Sequence, residues 1–169
     1  AAGYGRLVDV DFSPLTGNFD SPVAWQLNLS AAQSHLCPLV SGRAFTGLTN
    51  GPSPKWMSQR LTAIGQRPIG ALVDITNYIM VDLGRPLHAY DINKIKGGAL
   101  IIGPAKAGQT MTALNEKTYE LDAEMLVIGD ADGPDDLAGI MGGARTGISD
   151  DTSAMFLEIA IFDQISVAT

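Results

Sequence analysis

The sequence predicts an α+β fold, in which mixed or antiparallel β-sheets form a barrel-like or sandwich-like core and helices pack on one side of it. Between residues 53 and 86, apolar residues recur at the three- and four-residue spacing of amphipathic helices. Beyond residue 98, the pattern changes to short β-type runs separated by Gly, Asn, Asp and Pro. Because helical and strand patterns do not alternate along the chain, regular βαβ units are not expected.

The first strands are predicted in the segments AWQLNLS and CPLVSGRAFTGL, where apolar and polar residues alternate. A short helix follows, for which Ser53 offers an N-cap, Pro54 a first helical residue and Gly65 a left-handed stop. One face of this helix is apolar and is formed by Met57, Leu61 and Ile64.

A second, longer helix is predicted to begin near Pro68 and to end at Gly84 and Pro86. Its apolar stripe is predicted to pack on a sheet and is formed by Ile69, Leu72, Val73, Thr76, Met80 and Leu83.

The remaining strands are predicted in the runs ALIIGPA, TMTAL, TYELD, EMLVIGD, LAGIMGG and AMFLEIAIF. No repeat, low-complexity tract or linker divides the chain. We therefore expect residues 1–169 to form one domain with two intertwined lobes, roughly 1–97 and 98–169.

The composition is that of a globular protein, with 46% hydrophobic and 17% charged residues in a chain of 169. A net charge of −7 argues against a free-standing nucleic-acid binder, because Lys and Arg supply most of the non-specific affinity for phosphates. The single Cys37 excludes an internal disulfide, and no secretory signal opens the chain. A cytoplasmic protein without a membrane span is expected.

Well-known catalytic motifs are missing from the sequence. It holds no phosphate loop, His-Glu-x-x-His, Cys-x-x-Cys, EF-hand loop or Gly-x-Ser-x-Gly elbow. ATP chemistry and a protein-ligated metal are therefore not expected in this chain.

Several residues instead break the local structural pattern, and such breaks tend to collect at functional sites. Thr76 and Asn77 occupy the middle of the second helix, where they either form a local bond to the backbone or serve a site. Glu158 interrupts an apolar strand, so it lies either on the solvent face of an edge strand or inside as a buried acceptor. Arg67 precedes Pro68 and is by default a solvated residue.

Two further features leave alternatives open. The glycines of LAGIMGG, which are Gly139, Gly142 and Gly143, mark either a bulge or a place where a ligand approaches the backbone closely. His88, one of two histidines, follows a Gly-Arg-Pro break. A histidine beside apolar residues is more often a satisfied core residue than a catalytic one.

Three stretches together resemble the editing module of the bacterial phenylalanyl-tRNA synthetase beta subunit. They are RPIGALVDITNYIMVDLGRPLHAYD, LAGIMGG and FLEIAIFD, and CPLVSGRAFTGL and GPSPKWMSQRLTAIGQRP upstream are similar too. The resemblance covers about Cys37 to Asp163. Because the complete beta subunit is several times longer, the chain looks like an excised domain.

The resemblance implies hydrolysis of tyrosine that has been attached wrongly to phenylalanine tRNA. The family's pocket positions fall on Arg67, Thr76, Asn77, His88, Gly139, Glu158 and Ala160. In this interpretation His88, Asn77 and Thr76 are catalytic, and Glu158, Arg67, Gly139 and Ala160 bind the substrate. We expect the pocket to lie between the second helix and the strands LAGIMGG and FLEIAIF.

The roles and partners implied by the resemblance follow the chemistry of each side chain. Glu158 accepts the phenol proton, and His88 positions or deprotonates the attacking water. The implied partners are the 3′ end of the tRNA carrying tyrosine, the remaining beta-subunit domains and the alpha subunit of a heterotetramer. No cofactor is expected in this domain, since ATP and Mg²⁺ belong to the synthetic site of the full enzyme.

A non-catalytic alternative accounts for the same residues. In that interpretation the chain is a structural or RNA-contacting domain of the same synthetase, and its polar pocket residues merely satisfy one another.

Overall fold

The computed structural model describes Gly3, Asp11 and residues 13–168, and the other residues of the predicted domain 1–169 lie outside this description. Two short 3-10 turns cover Ala31–Leu36 and Ile92–Lys94. The helices are α1 (Lys55–Ala63), α2 (Ala71–Leu83) and α3 (Gln164–Ala168). The strands are β1 (Ala24–Leu27), β2 (Leu39–Thr46), β3 (His88–Asp91), β4 (Ala99–Pro104), β5 (Thr110–Thr112), β6 (Thr118–Glu120), β7 (Leu126–Asp130), β8 (Gly133–Leu137) and β9 (Ala154–Ile161).

The described strands form two larger sheets and one hairpin, which confirms the predicted α+β class. One sheet has the order β1-β4-β7-β8, with β1 parallel to β4 and the other pairs antiparallel. The second sheet, β2-β9-β3, is entirely antiparallel, and β5 pairs with β6. Neither larger sheet of the described chain closes into a barrel, so the arrangement is sandwich-like.

The two larger sheets share one hydrophobic core. Tyr90 and Phe156 of the three-stranded sheet pack in the same buried cluster as Leu100, Ile102 and Ile128 of the four-stranded sheet. Side chains alternate between the two faces of a strand. As a result, the positions next to Tyr90 and Phe156 point to the opposite face of their sheet.

That opposite face carries the two longer helices, α1 and α2. Leu72 of α2 packs with Ala89 of β3 and Met155 of β9 in a separate buried cluster. The first helix packs beside α2, where the rings of Trp56 and Tyr78 meet edge to face with centroids 5.3 Å apart. The prediction that the helices lie on one side of the sheets is confirmed for α1 and α2, whereas the short α3 packs against the turn at Gly139.

Both predicted helices exist, with small differences at their ends. Pro54 is the N-cap of α1, and the Ser53 hydroxyl donates to the Asp74 carboxylate instead of capping the helix. The expected left-handed residues are present, with φ of 83° at Gly65 and 64° at Gly84. On the predicted apolar face of α1, Met57 and Leu61 are buried, whereas Ile64 is exposed because it lies at the end of the helix.

The prediction of a strand over LAGIMGG is wrong. Strand β8 ends at Leu137, and the chain then turns, with the Leu137 N–H donating to the Met141 carbonyl and a φ of 74° at Gly139. The real strand lies just upstream and contains Pro134 and two aspartates, residue types that are depleted in strands. Pro134 is tolerated in β8 because β8 is an edge strand.

Candidate functional site

A cavity of about 430 Å³ opens where the two larger sheets meet. Its walls come from three parts of the chain: the approach to β3, the end of β8 with the following turn, and the end of β9 with α3. The walls include Arg85, His88, Asp136, Gly139, Gly142, Glu158, Ala160 and Phe162. Both polar and apolar side chains therefore meet in one concave site, which is the usual form of a small-molecule site.

Two neighbouring strands deliver the polar groups of this cavity. His88 of β3 and Glu158 of β9 are directly paired positions of the antiparallel ladder. Tyr90 follows His88 by two residues and therefore projects from the same face of β3. This register brings an imidazole, a phenol and a carboxyl together from residues that are distant in sequence.

The Tyr90 hydroxyl connects two buried carboxyl groups. It lies within hydrogen-bonding distance of the Asp136 carboxylate and 3.0 Å from Oε2 of Glu158. Tyr90 is fully buried, and Asp136 and Glu158 are only 3% and 6% exposed. Because a phenol carries one proton, it can fully satisfy only one of the two carboxyl groups at a time.

Burial and mutual repulsion weaken the ionisation of this cluster. Burial raises the pKa of Glu158, and the charge of nearby Asp136 raises it further, against the opposing effects of His88 and Tyr90. Burial also raises the pKa of Asp136. Burial, followed by the two carboxyl groups, raises the pKa of Tyr90 well above its ordinary value, so this phenol keeps its proton at neutral pH.

His88 lies beside this cluster and keeps one nitrogen free. Its Nε2 is buried, has no hydrogen-bond partner among the residues that the structure describes, and lies 3.9 Å from Oδ2 of Asp136. The ring meets Tyr90 edge to face, with centroids 4.6 Å apart. A buried ring nitrogen without a partner is the kind of polar atom that a bound water or ligand group usually satisfies in proteins.

Glycines allow the turn after β8 to approach this cluster. A Cβ atom at Gly142 would lie 2.4 Å from Cε1 of His88, and one at Gly143 would lie 2.0 Å from the carbonyl oxygen of Asp135. The Gly143 N–H donates to Oδ1 of Asp136 over 2.6 Å. Gly142 and Gly143 thus allow close packing against His88 and Asp135 of the protein itself, and Gly139 is a turn residue. Close approach of a ligand to these glycines stays a prediction.

The structure brings together four of the residues that the sequence singled out: His88, Gly139, Glu158 and Ala160 all line the cavity. Glu158 is a buried acceptor in the central strand of its sheet, not an edge residue.

The other three candidates lie outside the cavity walls. Thr76 is buried, and its hydroxyl donates to the Val73 carbonyl over 2.7 Å, which is the local back-bond. Asn77 follows it on α2, and Arg67 is exposed before that helix. The expectation that the pocket lies against α2 is not met, because α2 packs through Leu72 on the other face of the sheet.

Sequence reasoning missed two residues of the cavity wall, Asp136 and Arg85, and the buried Tyr90 behind it. Tyr90 could have been found from strand alternation in HAYD, which places it on the face of His88. Asp136 could have been found as a carboxyl just before an apolar run. Arg85, whose Nη2 donates to the Ala160 carbonyl over 3.2 Å, carries no sequence signal beyond its place in the Gly-Arg-Pro break.

Neither a metal centre nor a membrane helix is found in the part of the chain that the structure describes. Across residues 13–168, no three His, Cys, Asp or Glu side chains are grouped so that they could hold a metal ion. The described helices are too short or too polar to cross a membrane.

Comparison with known proteins points to one family. The model of the B3/4 domain family matches residues 36–169. A phenylalanine–tRNA ligase beta subunit of Paramagnetospirillum magneticum is 46% identical over 168 residues, which are 99% of this chain and 21% of the relative. The corresponding subunit of Rhodopseudomonas palustris is 45% identical over 168 residues and is covered to 20%. The chain thus spans about a fifth of the length of these relatives.

A solved structure shares the fold. An N-terminal fragment of the phenylalanyl-tRNA synthetase beta subunit from Pyrococcus horikoshii superposes with a TM-score of 0.61 at 13% identity. The match covers 90% of this chain and 47% of that fragment.

Proposed function

The chain belongs to the B3/4 domain family, and on that basis we propose that it is the editing domain of a phenylalanine–tRNA ligase beta subunit. In this role it hydrolyses tyrosyl esters of phenylalanine tRNA and so protects the fidelity of translation. The family membership confirms the resemblance found in the sequence. The hydrolytic activity is the proposed part.

The chemical need for such a site follows from the limits of apolar selection. A pocket that accepts phenylalanine by shape discriminates only about a hundredfold against a substrate with an added hydroxyl. Fidelity then requires a second site that binds only when the hydroxyl is present. A buried acceptor meets this need, because phenylalanine leaves it without a partner at a cost of about 1–3 kcal/mol.

The observation that carries the proposal is the buried Glu158 beside a donor that it shares with Asp136. The Tyr90 proton is contested by two carboxyl groups, so Glu158 retains capacity to accept another hydrogen bond. Ala160 and Phe162 supply apolar wall beside it. A ring with one hydroxyl, such as the tyrosine side chain, complements this combination.

His88 is proposed to act on the water that cleaves the ester. Its unpartnered Nε2 accepts a proton from water as the water oxygen attacks the ester carbonyl carbon. The carbon–oxygen bond to the ribose then breaks, and the ribose oxygen receives the proton. The N–H groups of Ala138, Ile140 and Met141 donate to backbone carbonyls, so the backbone N–H of Gly139 is assigned to the developing oxyanion, and a ribose hydroxyl of the tRNA shares in the catalysis.

The proposal extends to partners that lie outside this chain. The substrate is the 3′ end of phenylalanine tRNA carrying tyrosine, held mainly by other beta-subunit domains and an alpha subunit, since the net charge of this chain is −7. ATP and Mg²⁺ serve only the synthetic site of the full enzyme. We propose that the assembly works in the cytoplasm.

One observation favours a non-catalytic role as the second candidate. Tyr90, Asp136, Glu158 and the Gly143 N–H satisfy one another in part, as a structural polar network would. This alternative leaves the free Nε2 of His88 and the open cavity without a purpose.

Deacylation separates the two candidates. A full synthetase carrying this domain is supplied with tyrosyl-tRNA and phenylalanyl-tRNA, and release of each amino acid is followed. Glu158→Ala should reduce tyrosine release about ten- to two-hundredfold, the range for a hydrogen bond to a charged group, without changing phenylalanine release. Equal effects on both substrates would favour the structural role.

A further inference from the structure

We propose that Asp136 is a positioning residue for substrate selection: it takes the only proton of Tyr90 and thereby leaves Glu158 free to accept a hydroxyl from the substrate. The inference rests on the proposed function, since it names what keeps the acceptor of that same site available.

Tyr90 has one hydroxyl proton and lies beside two carboxyl groups. Its hydroxyl lies within hydrogen-bonding distance of the Asp136 carboxylate and 3.0 Å from Oε2 of Glu158. The hydroxyl proton can point at only one of them. When it points at Asp136, Oε2 of Glu158 faces an oxygen lone pair and gains nothing from Tyr90.

The Asp136 carboxylate is anchored to the backbone through its other oxygen. Its Oδ1 accepts the Gly143 N–H over 2.6 Å, which fixes the plane of the carboxylate and turns Oδ2 toward Tyr90. His88 Nε2 lies 3.9 Å from the same Oδ2. Glu158 has no comparable anchor among the described residues, where Tyr90 is its one hydrogen-bond partner.

Two substitutions of similar shape are therefore expected to have opposite effects on whether Glu158 has a hydrogen-bond donor. In Asp136→Asn the amide oxygen must still face the Gly143 N–H, so the amide N–H₂ faces Tyr90 and donates to it. The Tyr90 proton is then redirected to Glu158, which becomes satisfied. In Tyr90→Phe the contested proton is absent, and Glu158 remains without a donor.

The test measures the affinities of the 169-residue chain for L-tyrosine and L-phenylalanine by calorimetric titration. We expect the wild type and Tyr90→Phe to prefer tyrosine. Asp136→Asn should lower the ratio of tyrosine to phenylalanine affinity by about tenfold or more. Adding Asp136→Asn to the Tyr90→Phe background should not lower the ratio further, because the effect passes through the Tyr90 hydroxyl.

Each other outcome overturns the inference. If Asp136→Asn keeps the preference for tyrosine over phenylalanine, Asp136 does not act by holding the Tyr90 proton. The same conclusion follows if Tyr90→Phe loses this preference as fully as Asp136→Asn does. These two results leave the proposed function standing, because the wild type still selects tyrosine. A wild type that binds both amino acids equally would contradict the proposed function as well. Thermal unfolding of all variants identifies a change that acts through stability alone, which would lower both affinities together.

Discussion

His88 and Glu158 face each other as directly paired residues of the antiparallel strands β3 and β9. One backbone ladder therefore fixes the position of the imidazole relative to the carboxyl group. The pairing explains how two residues from distant parts of the sequence enter one cavity, and it makes the site dependent on the register of a single strand pair.

Replacement of His88 tests its proposed role in hydrolysis. In a full synthetase, His88→Ala should leave phenylalanine activation near normal and lower tyrosyl-tRNA deacylation about a hundred- to ten-thousandfold, the usual contribution of a general base. The matched control is His35→Ala, because this histidine is exposed and, within the described residues, its side chain forms one hydrogen bond, from Nδ1 to the Ala32 carbonyl. Unchanged deacylation in His88→Ala would show that the imidazole is structural.

The glycine beside His88 provides a steric test of the same geometry. Gly142→Ala introduces a methyl group 2.4 Å from Cε1 of His88, so the imidazole or the turn must move. We expect a loss of deacylation together with a stability cost of about 1–3 kcal/mol, as for other overpacked sites. Gly51→Ala is the control, since no atom lies within 4 Å of its added methyl group. Equal behaviour of the two variants in deacylation and thermal unfolding would contradict the close approach described for Gly142.

The buried carboxyl groups predict a pH dependence of stability. The folded-state pKa of Glu158 is raised above its value of 4.5 in the unfolded chain, by burial first and then by Asp136. The folded state therefore holds this proton more tightly, and the stabilisation is present below pH 4.5 and is lost as pH rises through the folded-state pKa. The groups that face Glu158 and act on its pKa, besides burial, are His88, Asp136 and Tyr90.

Glu158→Gln should remove part of this dependence. Measured by denaturant unfolding between about pH 4 and 8, the free energy of unfolding of the wild type should fall relative to that of the variant as pH rises. Curves that stay parallel across the whole range would show that Glu158 titrates alike in the folded and unfolded states.

Thr76 and Asn77 separate the role implied by the family resemblance from the geometry of this structure. Thr76 satisfies its hydroxyl on the Val73 carbonyl, and neither residue lines the cavity. We therefore expect Thr76→Val and Asn77→Ala to leave tyrosyl-tRNA deacylation near the wild-type rate, with a modest change in thermal stability. A loss of deacylation as large as that of His88→Ala would show that both residues take part in catalysis.

The helices and most strands follow from local signals in the sequence. Gly65 and Gly84 mark helix ends because the left-handed conformation is open to glycine, and Met57, Leu61 and Leu72 are buried where the helical period places them. Strand β8 escaped prediction because its residues are poor strand formers and are held by pairing with β7.

The sequence indicates which residue types form the site, and it does not indicate the hydrogen bonds among them. Glu158 and His88 stand out locally, whereas their meeting with Tyr90 and Asp136 depends on the register of β9 and on the packing of two sheets. No sequence period encodes contacts between separate sheets. The placement of α2 on the outer face of its sheet likewise results from packing. The resemblance implies a pocket role for Thr76 and Asn77, and neither residue lines the cavity.

A crystal structure of this chain with bound L-tyrosine would show whether Glu158 selects the substrate. We predict that the ring occupies the cavity between β3, β8 and the end of β9, with the phenol oxygen about 2.5–3.0 Å from a carboxylate oxygen of Glu158. L-Phenylalanine at the same concentration should leave the cavity empty. Tyrosine bound elsewhere, or with its hydroxyl turned away from Glu158, would contradict the claim that this carboxyl group selects the substrate.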